Sequence, residues 1–432
     1  MRFPKFPRTE YRKGTPQDRG RVVQFPGGGD EPLPRQPWLR RLLPGVVTGA
    51  ADVDPALVLT ATVAGAMYQY STLWVVLLCV PFLLNVFRVT ARIGHQTRQG
   101  LVDLLRLHYG RRVALACALL VIAINMAMIV ADLMAVSEAM SIIAGQSRMY
   151  FVALAAFSIW YMLIFRDYVK ITKALLFLAL PLFIYVAAAL IVAPAPRELV
   201  LRTLVPEVPH SAGYMMTVIA LAGSLLTPYI LVWNTSSRRE QAIIGHELHA
   251  ADSHAGTVVT TLLSYCIILA AGATLAMKAS GELTVRRAAE ALRPAVGDLG
   301  GILFALGILG AGMVALPILV ASMCYAISEA MEWKAGLSEH PWEAGRFYAL
   351  ISAALFLAAF ANLFPINPVT AMFWSQALAG VLVVPILIFT LVLANDRRVM
   401  RTVNSFGENF WIGAAAGGMC AAVGVYGWMK IF

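Results

Sequence analysis

The chain has 432 residues, of which 59% are hydrophobic and only 13% charged. A soluble domain carries about 25% charged residues, so this composition excludes a soluble protein and predicts a polytopic membrane protein. The formal net charge is +10, but Lys and Arg gather beside apolar stretches, which speaks for membrane topology and against nucleic acid.

Residues 1–43 are basic, rich in Gly and Pro, and contain PGGGDEPLPRQP. They lack the apolar core of a signal peptide and read as a disordered tail. Eleven apolar stretches follow, at 44–66, 72–88, 113–145, 149–165, 174–194, 213–233, 256–278, 299–328, 347–364, 369–394 and 410–429. Each is near the roughly 20 residues a spanning helix needs; the third and eighth are overlong and must tilt or protrude. With the N-terminus inside, about 26 Lys and Arg fall on the inner side and about 8 on the outer. The predicted orientation is therefore a cytoplasmic N-terminus and an outer C-terminus, in the cell inner membrane. Cys79, Cys117, Cys266, Cys324 and Cys420 all lie in apolar runs without metal-ligand spacing, and are expected to pack as free thiols.

Two stretches are interrupted. The first reads PGVVTGAADVDPALVLTATVAGAMY, with Asp52, Asp54 and Pro55. A carboxylate at the bilayer centre costs about 2.5–3.5 kcal/mol, so a chain that keeps two beside a helix-breaking proline is expected to use them on a cation. The sixth reads LAGSLLTPYILVW, with Pro228 near its middle. A mid-helix proline frees carbonyls for other partners. Interrupted helices at matching positions of two halves point to a transporter's midplane site. Five spans per half make the second half inverted. The expected organisation is a tail at 1–43, repeats at 44–196 and 212–395, and an eleventh helix at 409–430.

From about residue 44 onward the chain resembles the NRAMP family of divalent-metal transporters. The pieces that carry the resemblance are GVVTGAADVDPALVLTATVAGAMYQYSTLWVVLL, TRQGLVDLLRLHYGRR, LTPY and FWSQALAG. The resemblance implies an all-α integral membrane protein of the LeuT type, two inverted five-helix repeats plus an eleventh transmembrane helix. The family's Asp-Pro-Gly-Asn motif stands here as Asp54, Pro55, Ala56 and Leu57, so the asparagine is lost. Its Met-Pro-His becomes Thr227, Pro228 and Tyr229. Asp132 is kept, but the glutamate expected three residues on is Ala135, and FYALISAALFLAAFANLF in span nine has no arginine where proton-coupled members carry one or two. These departures resemble the branch of the family associated with magnesium.

Without the thioether, discrimination in favour of softer metals is lost. The remaining candidate ligands are hard oxygens: the Asp54 carboxylate, the Thr227 hydroxyl, and carbonyls around Ala51 and Ser224. Such a set suits Mg²⁺ or Mn²⁺ held partly through water. Gln376 sits where the family has an occasional metal-contacting glutamine, or is a packing amide. Tyr229 either hydrogen-bonds a site water or fills the lost histidine's space. Asp52 is a supporting charge or lines the outer vestibule; Asp132 and Glu138 are candidates for a proton path or that vestibule. His246, His249 and His254 in GHELHAADSH read as a solvated loop before a metal site, and Gly413 to Gly417 as a small-residue helix face.

The expected function is alternating-access transport of Mg²⁺, or else Mn²⁺, weakly coupled or uncoupled to protons, with no resident cofactor and no enzymatic constellation. The alternatives are a proton-coupled Mn²⁺/Fe²⁺ symporter of the NRAMP type, an amine permease of the same fold, and a sensor that binds without transport. The expected partners are the lipid bilayer and the ion, with no nucleic acid, in a monomer or weak homodimer.

Overall fold

The computed structural model describes residues 53–165, 180–244, 250–275, 284–337 and 339–431, and the side chains among these except 237–255. The tail, Ala51, Asp52, His246 and His249 lie outside that range, as does the His254 side chain. The described chain is helical, with no strand among the described residues.

The first five stretches give α1 (Pro55–Tyr68), α2 (Leu73–Thr97), the short α3 (Leu101–Tyr109), α4 (Arg111–Ala144), α5 (Met149–Phe165) and α6 (Ile184–Val192). Then come α7 (Pro196–Leu204), α8 (Ala212–Leu225), α9 (Pro228–Ile244), α10 (Ala250–Thr274), α11 (Gly300–Ala330), α12 (Gly345–Ala361), α13 (Pro368–Asn395) and α14 (Phe406–Ile431). Short helical turns fill Val285 to Leu299. Each of the eleven apolar stretches carries apolar helix. Seven segments are long and apolar enough to cross a bilayer, while α1, α5 and α12 are shorter apolar helices. The two stretches expected to be overlong become α4, with 34 residues, and α11, with 31. At 1.5 Å per residue these are about 51 and 46 Å, well beyond a hydrocarbon core of about 30 Å.

Burial is inverted relative to a soluble protein. Leu190 is 77% exposed and Phe356 71%, whereas Asp54, Asp132, Asn125 and Gln376 are fully buried. Apolar side chains face outward because lipid solvates them; polar ones turn inward because only other protein groups or an ion can satisfy them.

Two features depart from the sequence reading. The chain turns by 116° between α6 and α7, so part of what reads as a plain loop is a helix. Leu201 and Leu204 on α7 are 51% and 65% exposed. The GHELHAADSH segment is also partly helical, since α10 starts at Ala250. The five cysteines are free, four buried and Cys420 exposed, as expected. In α14, a Cβ added at Gly413 or Gly417 would meet nothing within 4 Å, so this small-residue face is not a packing seam within the chain.

Candidate functional site

In both spans a helix starts on a proline, and in the first span the residues before Val53 lie outside the described range. Pro55 occupies the first turn of α1, with Asp54 as its N-cap. Pro228 opens α9, directly after α8 has ended at Leu225 and capped on Leu226. Proline suits this position because its missing N–H is an orphan there in any case. At the second break, Pro228 has no N–H to offer the Ser224 carbonyl four residues back, so that oxygen is released from the helical ladder. Thr227, at the junction, is 2% exposed.

At the first break, Asp54 Oδ1 accepts the Leu57 amide at 2.6 Å. Its Oδ2 is buried and has no hydrogen-bond partner among the described residues. Asp132, on α4, faces the same place: its carboxylate lies within electrostatic reach of Asp54 and near the Ala56 amide. Both Asp132 oxygens are buried without a partner. Among the described residues, neither aspartate is paired with a Lys, Arg or His.

Gln376 comes to the second break from α13. It is fully buried, and both its Oε1 and Nε2 lack a protein partner. The approach is close because Gly223 faces Gly380: a Cβ on Gly223 would sit 2.5 Å from the Gly380 N and 2.7 Å from its Cα, and would overlap the Gln376 carbonyl. Gly312 does the same for the first break. Its missing side chain leaves room for Val136 of α4 and for Pro55, whose Cγ would lie 3.1 Å from a Cβ there. Small residues let membrane helices approach where no hydrophobic force drives them together. Gly223, Gly380 and Gly312 were not singled out in the sequence; GAG before Met313 and AGS before Leu225 were the available signals.

The other candidates divide. The Ser224 hydroxyl donates to the Leu221 carbonyl at 2.8 Å, which fixes its hydrogen and leaves its oxygen lone pairs free beside the Ser224 carbonyl. Tyr229 is buried, at 1% exposure, one residue past Pro228. Glu138 is half-buried. It lies about 9 Å further along α4 than Asp132 and about 120° round the helix, so it is not on the face that meets Asp54. Arg346 does belong to the first turn of α12, but it sits over the Trp333 ring at 5.3 Å. At the other end of α12, Asn362 donates to the Val130 carbonyl at 3.2 Å. A neutral amide, not a guanidinium, thus joins that end to the stretch of α4 beside Asp132.

Three buried residues therefore present five polar atoms that are unpaired among the described residues: one oxygen of Asp54, two of Asp132, and the amide pair of Gln376. Burying uncompensated charge is costly unless a counter-charge is supplied. A pair of neighbouring buried carboxylates is chemically suited to a small cation with hard-oxygen preference.

Comparison with known proteins bears on the family and the fold. The chain is 24% identical over 289 residues to metal transporter Nramp6.1 of Populus trichocarpa, covering 62% of this chain and 52% of that one. It is 23% identical over 312 residues to the divalent metal cation transporter MntH of Chromohalobacter salexigens, covering 65% and 68%. The chain spans about half the length of the first two curated relatives it matches. In structure it is similar to a manganese transporter of Eremococcus coleocola solved with an aromatic bis-isothiourea compound, with a TM-score of 0.66 and 15% identity over 95% of this chain and 97% of that one. MhsT, solved with L-phenylalanine, has a TM-score of 0.55 at 13% identity, covering 92% and 100%. The fold is the LeuT type, as expected. The model of the natural resistance-associated macrophage protein-like family matches residues 45–430, and the chain belongs to that family.

Proposed function

We propose that this chain carries divalent metal cations across a membrane by alternating access, with Asp54 as the principal ligand. One observation carries the reading: two neighbouring carboxylates and a glutamine are buried near the helix starts, with five polar atoms unpaired and no basic partner among the described residues. Thr227 and the Ser224 carbonyl complete a set of oxygens, and Tyr229 closes the space beside them. The ligand set is hard, so Mg²⁺ is the preferred ion, followed by Mn²⁺, over Fe²⁺ and Cu²⁺.

The repeats run over 44–196 and 212–395, with α4 and α11 as equivalent helices in the most extensive helix pairing of the molecule. The charge bias supports a cytoplasmic N-terminus and an outer C-terminus in the inner membrane. A membrane potential supplies about 2.3 kcal/mol per charge per 100 mV, hence about 4.6 kcal/mol for a divalent ion, which is sufficient to drive uptake without protons.

The test is uptake of Mg²⁺, Mn²⁺ and Ca²⁺ into proteoliposomes at fixed potential, with and without a pH gradient. Mg²⁺ and Mn²⁺ should enter in both conditions. No entry of either ion refutes transport, and binding without entry identifies a sensor. A second reading, a proton-coupled Mn²⁺ symporter, is favoured by the likeness to MntH proteins and to the Eremococcus manganese transporter. Uptake of Mn²⁺ that requires the gradient would select it.

A further inference from the structure

Glu329 is another buried carboxylate, far from the helix breaks. It lies in the last turn of α11 and is 6% exposed. It is 17 residues beyond Gly312 on the same helix, hence about 25 Å from the ion site. Unlike Asp54 and Asp132, it is saturated with donors. Its Oε2 accepts the amides of Val102 at 3.2 Å and Asp103 at 3.3 Å, and its Oε1 accepts the Ser236 hydroxyl at 2.6 Å.

Those donors belong to two other helices. Val102 and Asp103 form the first turn of α3, and Ser236 is on α9. The Leu101 amide is taken by Thr235 Oγ1, again from α9, at 3.2 Å. A helix leaves its first four amides without internal partners, and a cap is normally supplied by the residue just before it. Here that residue is Gly100, which has no side chain, and α3 is capped by α9 and α11 instead. Gly100 also makes room for this contact, because a Cβ there would displace the Glu329 carboxylate. Arg106 of α3 returns the contact, donating to the Glu329 carbonyl at 3.2 Å and pairing with Glu332 at 2.6 Å.

The mechanical consequence follows from α9. One end of this helix carries Thr227 at the break; Ser236 is nine residues along, about 13 Å away. We propose that Glu329 is a positioning residue for transport. It clasps the lower half of the broken sixth span and the α3 cap to α11, and so holds the α3 side of the pathway closed until the clasp parts. The proposal rests on the transporter reading, and α3 lies on the cytoplasmic side in the orientation proposed above.

Val232 is fully buried on α9, one turn nearer the break than Ser236 and on the same face. A Val232→Cys reporter in a Cys420→Ser background is treated with a water-soluble thiol reagent in the purified full chain. The buried Cys79 on α2 and Cys266 on α10 serve as internal controls for general loosening. Glu329→Ala should raise labelling of the reporter at least tenfold while both controls stay protected. Glu329→Gln retains an acceptor for α3 and gains a donor for Ser236, and should stay within threefold of the parent. If Glu329→Ala does not fold, Gly100→Ala displaces the same carboxylate and should give the same increase. Unchanged reporter labelling, or labelling of the controls in parallel with it, overturns the clasp. Mn²⁺ calorimetry on the same samples reports separately on the ion site: loss of binding in the parent would sink the metal reading without deciding the clasp.

Discussion

Replacing Asp54 by Asn separates the ion-binding role of this side chain from its structural one. The structural role is to cap α1, through Oδ1 and the Leu57 amide. Asn is as good an N-cap as Asp, so the helix start should hold to within about 1 kcal/mol. The substitution also removes one of two neighbouring buried carboxylates that pair with no Lys, Arg or His among the described residues. The ion-free protein should therefore melt no lower than the parent. Ion binding should change sharply, because the unpaired Oδ2 becomes an amide donor turned toward the space where a cation is expected. At an effective dielectric of about 20, two unit charges 4 Å apart attract by about 4 kcal/mol, and a divalent ion doubles this. Part of that loss is returned because a neutral amide is easier to bury than a carboxylate. A net weakening of 100- to 1,000-fold, about 2.7–4.1 kcal/mol, is the expected result. Calorimetry with Mn²⁺ and Mg²⁺ on detergent-purified protein, beside a thermal melt, measures both effects. A Kd within threefold of the parent in a folded variant would refute the assignment of Asp54 as principal ligand.

Thr227→Met returns a soft ligand to the second break and should raise Mn²⁺ or Cd²⁺ affinity relative to Mg²⁺ by about tenfold; an unchanged ratio in calorimetry means that the position does not face the ion. Gly223→Ala would place a Cβ 2.5 Å from the Gly380 amide nitrogen. Comfortable contact needs about 3.5 Å, so α8 and α13 must part by about 1 Å, at a cost of about 1–3 kcal/mol. The variant should melt several degrees lower and bind metal more weakly as Gln376 retreats, whereas a melt and a Kd equal to the parent would show that Gln376 is not set by this contact. Metal entry at fixed potential should leave a pH dye trapped inside proteoliposomes almost unchanged. Strong acidification that follows metal entry and vanishes in Asp132→Asn would show a proton path running through Asp132.

The positions of the apolar helices were legible from local chemistry alone. A hydrocarbon solvent forces each spanning segment to satisfy its own backbone, so length and hydropathy locate it without knowledge of its neighbours. The two breaks were legible for the same kind of reason, since Pro55 and Pro228 act on their own helices. Asp54 stood out because a carboxylate in an apolar run is costly wherever it ends up. The neighbours of these groups were not legible. Nothing local distinguishes Asp132, which meets Asp54, from Glu138, which is turned away; the difference is a rotation of about 120° on a helix that is apolar on every side. Gly223 and Gly312 look like ordinary membrane glycines until α13 and Pro55 are found against them. Glu329 carries no signal either, because its partners lie more than 90 residues away along the chain, on α3 and α9. Span, break and charge are properties of a segment in its solvent, and the sequence by itself determined them; which charge meets a cation and which caps a helix depends on contacts between distant segments, and only the tertiary structure decided it.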